Sequence, residues 1–305
     1  MSASLQDRFA GCLLGLAVGD ALGAHFEGRS PEGIAQQYQT PQALIKSPPY
    51  GELWYTDDTQ MAIGVAETLV ACGRIEQDEL CRRFAENYVA ERGYGRGARV
   101  ILEAMRDGQD HQSLAQNYFP GGSYGNGAAM RSAPIGLAYR LDLPGLWEQA
   151  KLSSLPTHVH PLGIEGAQLI ALAVALACTS VTFDRTAFFE QLEAAATHIE
   201  YAGPLRRAAA ISNRRDLALF GNGIAAADSV VTAIAAFALT PNDYGATIAN
   251  SILLGGDTDT IAAMAGAISG AHLGKAAIPT HLLAALEDGE KGRTYLSELA
   301  VQMLR

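Results

Sequence analysis

Along most of the chain, apolar positions recur at spacings of three and four, and β-branched alternation is scarce, so the pattern predicts helices nearly throughout. Residues 7–22 read as a first helix. Thr56-Asp57-Asp58-Thr59 opens another that runs to Cys72 and closes at Gly73, with capping-type residues at its start and glycine at its end. Further helices are predicted over 76–91, 96–107, 126–140, 145–152, 162–178, 184–199, 204–212, 226–239, 242–253, 259–272 and 279–301. Between 28 and 51 a stretch rich in Pro, Gly and Gln, with Pro31, Pro41, Pro48 and Pro49, reads as a loop. No helix-length repeat recurs, and no Ser/Gly-rich linker or charge block marks a boundary. Residues 1–305 are therefore read as one all-α domain.

Composition supports close helix packing: 49% of the 305 residues are hydrophobic and only 18% charged, with 32 Gly and 53 Ala. The 22 basic and 32 acidic residues leave a formal charge of −10 with no basic stripe, which argues against nucleic acid as a general ligand. Cys12, Cys72, Cys81 and Cys178 are scattered without C-x-x-C spacing, so neither a structural zinc nor a disulfide framework is expected, and a reducing compartment suits the chain. Residues 1–8 lack the basic start of a signal peptide, and the apolar runs at 9–19 and 169–178 are too short to span a bilayer. The expectation is a cytoplasmic protein with no membrane contact, and, since no helix pattern demands a partner, a monomer.

Three segments concentrate acidic and hydroxyl residues: 19–27 with Asp20 and Glu27, 55–59 with Thr56, Asp57 and Asp58, and 255–260 with Asp257, Asp259 and Thr260. Such groups are hard oxygen ligands, suited to Mg²⁺, Mn²⁺ or Ca²⁺ rather than zinc. Adjacent or alternating Asp residues share no face inside a regular helix and converge only at a helix start. Acidic residues favour that end anyway, because its unpaired N–H groups make it electropositive, so either turn alone is equally well a cap. Five gathered carboxylates would repel one another strongly, and two divalent cations would compensate them better than one.

The residues also carry a resemblance. GDALGAHFE at 19–27, YTDDTQMA at 55–62, SYGNGAAMRSAP at 123–134, THVHPLGIEGA at 157–167 and GGDTDTIAAMAGAISGA at 255–271 stand in the order found in the ADP-ribosylglycohydrolases. The chain resembles that family over nearly its whole length, most closely, in the SYGNG loop, the subgroup that releases ADP-ribose from serine. The resemblance implies an orthogonal multi-helix all-α fold, a binuclear Mg²⁺ or Mn²⁺ centre and cleavage of the bond joining ADP-ribose to an acceptor. It implies metal ligands at Thr56, Asp57, Asp58, Asp257, Asp259 and Thr260, with Glu27 beside the metals. Asp20 falls in the family's helix-closing G-D-x-L-G turn, which implies a capping role. The glycine loop becomes a cradle in which Ser123, Tyr124, Gly125 and Asn126 contact ADP-ribose, with Phe119 placed to stack on adenine. On the residues alone, that loop could be an ordinary one with Asn126 as a helix cap. His158 is assigned to substrate binding and His160 to capping or packing. His25 is a further candidate for the pocket wall.

The mechanism so implied places Glu27 as the proton acceptor, or alternatively as a displaceable ligand with Asp58 orienting the attacking water. The expected substrate is an ADP-ribosylated protein or a small-molecule ADP-ribose conjugate. Two other readings compete. A relative that binds ADP-ribose without turnover would share the fold. The D-x-D-x-T string from Asp257 superficially resembles a phosphatase nucleophile motif, but that motif needs a preceding buried parallel strand, and here helical pattern and two glycines precede it.

Overall fold

A computed structural model describes residues 3–48 and 51–304. The α-helices are α1 (Leu5–Gly23), α2 (Pro31–Ala35), α3 (Pro41–Lys46), α4 (Asp57–Cys72), α5 (Gln77–Asn87), α6 (Arg96–Arg106), α7 (His111–Asn117), α8 (Ala133–Ala138) and α9 (Leu143–Ser154). They continue as α10 (Pro161–Thr179), α11 (Arg185–Ala195), α12 (Ile199–Ala208), α13 (Ala226–Leu239), α14 (Tyr244–Ile252), α15 (Thr258–Leu273), α16 (Thr280–Ala285) and α17 (Arg293–Gln302). Among the described residues there is no strand, only isolated bridges between Leu53 and Leu286 and between Gly125 and Ala225.

Local chemistry explains where the pattern and the structure part. The 28–51 stretch holds two short helices, each begun by proline behind a capping hydroxyl: Ser30 accepts from Gly33 N, and Thr40 from Ala43 N. Pro49, expected in that loop, lies outside the described residues. The expected 126–140 helix is a 3₁₀ turn, Asn126–Ala128, followed by α8; Pro134 stands in the first turn of α8, where its missing N–H costs nothing. The expected 279–301 helix divides into α16 and α17, because Leu286 leaves the helix to bridge Leu53. The expected 184–199 and 204–212 helices become α11 and α12, the latter running through Pro204. Asp110 caps α7, which the pattern did not predict.

The core centres on α15, which packs against α1, α10, α13 and α14 and is buried from Thr258 to His272. Its closest neighbour is α1. Gly11, Gly15, Gly19 and Gly23 recur every four residues and so share one face. A Cβ at those positions would lie 2.4, 2.5, 2.2 and 2.5 Å from the carbonyl oxygens of Gly270, Gly266, Ala262 and Thr258. The two backbones are thus in direct contact, and Thr258 Oγ1 donates to Gly23 O at 2.8 Å. That seam delivers the end of α1 to the start of α15.

The apolar runs read as too short for a bilayer belong to longer helices. Leu5–Phe26 and Pro161–Thr179, with mean hydropathies of 1.5 and 1.7, are long and apolar enough to cross one by length and composition. Core packing accounts for that character, since 89% and 78% of those windows is buried inside the protein. Asp257 is preceded by α14 and a glycine turn rather than a strand, which removes the platform the phosphatase reading requires.

Candidate metal centre and substrate cleft

The first acidic turn opens α4. Thr56 is its N-cap and accepts from Asp58 N at 3.4 Å, but most of the capping comes from another helix. Asp20 does not close α1; it lies within that helix, wholly buried, and reaches across to the start of α4. Its carboxylate accepts from Thr56 N at 3.0 Å, Thr56 Oγ1 at 2.8 Å, Thr59 N at 3.0 Å and Thr59 Oγ1 at 2.5 Å. Burial raises the Asp20 pKa to about 6, against the pull of those four donors. With the helix end satisfied, Asp57 and Asp58 are released from capping. Asp58 Oδ1 accepts from Thr260 Oγ1 at 3.4 Å, while Oδ2 is buried with no hydrogen-bond partner.

The approach to this turn is clamped by the C-terminal region. Leu53 N donates to Ala285 O at 2.8 Å, and Glu287 N to Leu53 O at 2.9 Å. Tyr55 N donates to Glu287 Oε1 at 3.0 Å, Arg92 donates to Tyr55 O at 2.7 Å, and Arg92 and Glu287 form an ion pair.

The second turn opens α15 and is built by backbone. Gly255 and Gly256 have φ of 66° and 74°, and a Cβ on them would lie 2.4 Å from Arg29 O and 2.3 Å from Asn222 O. Gly28 N donates to Gly256 O at 2.8 Å and Gly256 N to Arg29 O at 3.0 Å, so the loop carrying Glu27 is stitched to the turn carrying Asp257. Asp257 N donates to Asn222 O at 2.9 Å, and Asn222 Nδ2 donates to Leu254 O and Gly255 O. The Asp257 side chain makes no cap hydrogen bond; its Oδ2 accepts from Asn126 Nδ2 at 2.5 Å. Asp259 Oδ1 accepts from Thr260 N at 2.9 Å.

Carboxylate oxygens of Glu27, Asp257 and Asp259 all lie within 4.8 Å of one another, with Asp57 and Asp58 lining the same cleft. Burial first, then neighbouring carboxylates, push Asp57 up to about 7, Asp259 up to about 9 and Asp58 well above the usual range. Glu27, exposed at the rim, is raised by partial desolvation and then by Asp257. An all-oxygen donor set, crowded negative charge and the orphaned Asp58 Oδ2 together fit a hard divalent cation.

The acids line a cleft of about 400 Å³ together with Ile101, Met130, Ile224 and Phe119, whose ring packs on Gly97. The glycine loop contributes to the same cleft. Asn126 N donates to Ile224 O and Ala226 N to Tyr124 O, both at 3.0 Å, pinning the loop to residues 224–226. Gly125 N donates to Ser123 Oγ at 3.3 Å, and Ser123, Gly125, Asn126, Phe119 and His158 all line the cleft. Asn126 is not the cap of the turn it begins: Gly125 is, and the Asn126 amide is occupied by Asp257 and Ser229. Thr56 and Tyr124 are not among the lining residues; the exposed Tyr124 ring packs edge-on to His160. His160 caps α10, accepting from Leu162 N through Nδ1. His25 is partly buried and is not among the residues lining the cleft. A larger groove of about 1160 Å³ between α4 and α17 holds no comparable acidic cluster among the described residues.

Sequence reasoning missed Asn222, Arg131 and the Arg92–Glu287 clamp. The glycines flanking Asn222 are a turn signal that could have flagged it. Arg131 carried no local signal of burial, and the clamp joins residues 195 positions apart.

A family model described as ADP-ribosylglycohydrolase matches residues 1–305. The chain is 38% identical to ADP-ribosylhydrolase ARH3 of Gallus gallus, over 97% of this chain and 94% of that protein. It is 35% identical to ADP-ribosylhydrolase ARH3 of Homo sapiens, over 89% of this chain and 87% of that one. A solved structure described as an ADP-ribosylglycohydrolase-related protein complex superposes with a TM-score of 0.76 at 27% identity, covering 98% of this chain and 97% of that one.

Proposed function

The chain belongs to the ADP-ribosylglycohydrolase family, and from that premise we propose that its acidic cleft hydrolyses the bond between the ADP-ribose anomeric carbon and an acceptor with the help of two divalent cations, Mg²⁺ or Mn²⁺. The observation that carries this reading is the gathering of Glu27, Asp257 and Asp259 within 4.8 Å, beside the unpartnered Asp58 Oδ2. Thr56, Asp57, Asp58, Asp257, Asp259 and Thr260 would hold the cations. Cations held there would supply positive charge that offsets the carboxylates and would make water more acidic.

The chain's own groups do the rest. Phe119, on the cleft wall, offers its ring to adenine, and the glycine loop, through Ser123 and Gly125, receives the diphosphate and its ribose. His158 contacts the substrate from the loop side. This holds the reacting ribose against the acids, where their negative charge stabilises an anomeric carbon developing oxocarbenium character. Glu27 accepts the proton from attacking water; its rim position leaves it open to solvent, and partial desolvation and then Asp257 raise its pKa, which makes it a better base than a free carboxylate. Asp58 orients the water. The substrate is an ADP-ribosylated protein or a small-molecule ADP-ribose conjugate.

The test is release of free ADP-ribose from mono-ADP-ribosylated peptides in a monomeric, folded preparation. EDTA should abolish turnover and added Mg²⁺ or Mn²⁺ should restore it, whereas chelator-insensitive hydrolysis would sink the two-cation reading. Glu27→Ala should remove turnover while leaving the helical circular dichroism unchanged; full activity would dismiss Glu27 as the proton acceptor.

A further inference from the structure

Arg131 is fully buried just beyond the glycine loop, and its head group is spent on positioning rather than on the acids. Its Nη1 donates to Gly127 O at 3.1 Å, its Nη2 to Ser153 O at 2.8 Å and to Thr157 Oγ1 at 2.9 Å, and its plane lies 4.9 Å from the Phe84 ring centre. A guanidinium only donates, so Thr157 Oγ1 is the acceptor in that contact. The single hydroxyl hydrogen of Thr157 is then left for His158 Nδ1, 2.7 Å away. Among the described residues Thr157 Oγ1 has no other hydrogen-bond partner, so its hydrogen is satisfied only if Nδ1 accepts it, and a neutral imidazole in that arrangement carries its hydrogen on Nε2. Burial, and then the Arg131 charge, lower the His158 pKa to about 3, so the ring stays uncharged.

We propose that Arg131, acting through Thr157, is a positioning residue that fixes His158 as the Nε2-protonated tautomer, so that the imidazole offers a neutral N–H donor to an oxygen of bound ADP-ribose. The donor role rests on the functional reading above, but the tautomer does not. A neutral donor of fixed direction loses no freedom on binding and adds no competing charge near the acids. The Thr157 hydroxyl is thus a one-way relay of orientation, set at one end by a group that never gives up its protons.

Long-range ¹H–¹⁵N NMR on the ligand-free chain reads the tautomer directly. The expected result is a His158 ring with bare Nδ1 and protonated Nε2; an Nδ1–H tautomer or an imidazolium at pH 7 overturns the proposal. Calorimetry with ADP-ribose supplies the second measurement. Thr157→Val should raise Kd about tenfold, the worth of one well-placed hydrogen bond, while Thr157→Ser, which keeps the hydroxyl, should stay within about twofold of the parent. Equal Kd for Thr157→Val and the parent overturns the positioning role. Should Thr157→Val not fold, because Arg131 has lost an acceptor, the NMR result on the parent still decides. Failure of the parent to bind ADP-ribose would overturn the functional reading and the donor role with it, whereas binding alongside an Nδ1–H ring would overturn this inference alone.

Discussion

The turn at 56–59 and the turn at 257–260 put the same residue types at the start of apolar helices, yet their carboxylates are supported by different means. At the first, Asp20 arrives from α1 and satisfies the Thr56 and Thr59 amides and hydroxyls, leaving Asp57 and Asp58 free of that duty. At the second, two positive-φ glycines and Asn222 shape the backbone, and Asn126 aims Asp257. A helix-start carboxylate is ordinarily consumed by the orphan N–H groups beneath it. At the first turn Asp20 stands in for that work, whereas at the second Asn222 takes only the Asp257 amide and Asp259 accepts from Thr260 N with one oxygen, yet the acids of both turns line the cleft.

The largest effect tests whether the second turn belongs to the chemistry at all. Asp259→Ala should lower single-turnover ADP-ribose release at least about 100-fold, and retention within tenfold would remove it from the centre. Next comes the first turn's borrowed cap. Asp20→Ala strands the backbone N–H and hydroxyl of both Thr56 and Thr59 and should cost about 3 kcal/mol in urea unfolding, and a loss under about 1 kcal/mol would mean α4 needs no outside cap. Asn126→Ala should weaken Mg²⁺ binding about tenfold by calorimetry, as loss of a ligand's hydrogen-bonded support does. A raised KM for substrate with unchanged Mg²⁺ affinity would instead return Asn126 to the substrate role expected from sequence.

The smallest effect concerns both turns together. Carboxyl groups ionise near pH 4 when unfolded, whereas Asp57 and Asp259 hold their protons to about 7 and about 9 in the metal-free fold. Between those limits the folded state binds more protons than the unfolded state, so stability falls as pH rises. The melting temperature in EDTA should therefore drop by several degrees from pH 5.5 to 8.5, and saturating Mg²⁺ should recover most of the drop at the upper end. A flat EDTA profile, or equal melting temperatures with EDTA and Mg²⁺ at pH 8.5, would mean the two turns do not share a field.

What was legible in the sequence was what local chemistry decides. The 226–239 helix has the expected limits, and α4 ends at Gly73 with φ of 70°, because caps and apolar spacing act over a few residues. The acidic pairs fall in or beside first turns for the same reason. The Asp20 contact with Thr59 was not legible, since nothing near either residue encodes an approach between two helices. The Asn126 amide looked free for a ligand because Asp257 stands 131 positions away. The 279–301 pattern read as continuous because apolar spacing does not report that Leu286 pairs with Leu53.

The glycine face of α1 carries a consequence for how the protein is made. Thr258 meets Gly23 across 235 residues, so at typical elongation speeds the first helix waits roughly ten to fifty seconds for its partner to be synthesised. During that interval one of the most apolar segments of the chain has no α15 to cover it, and contacts of such long sequence separation form slowly even once the chain is complete. A substitution such as Gly19→Ala, which sets a methyl group 2.2 Å from Ala262 O, would thus be felt first as aggregation during synthesis and dependence on chaperones, before any turnover could be measured.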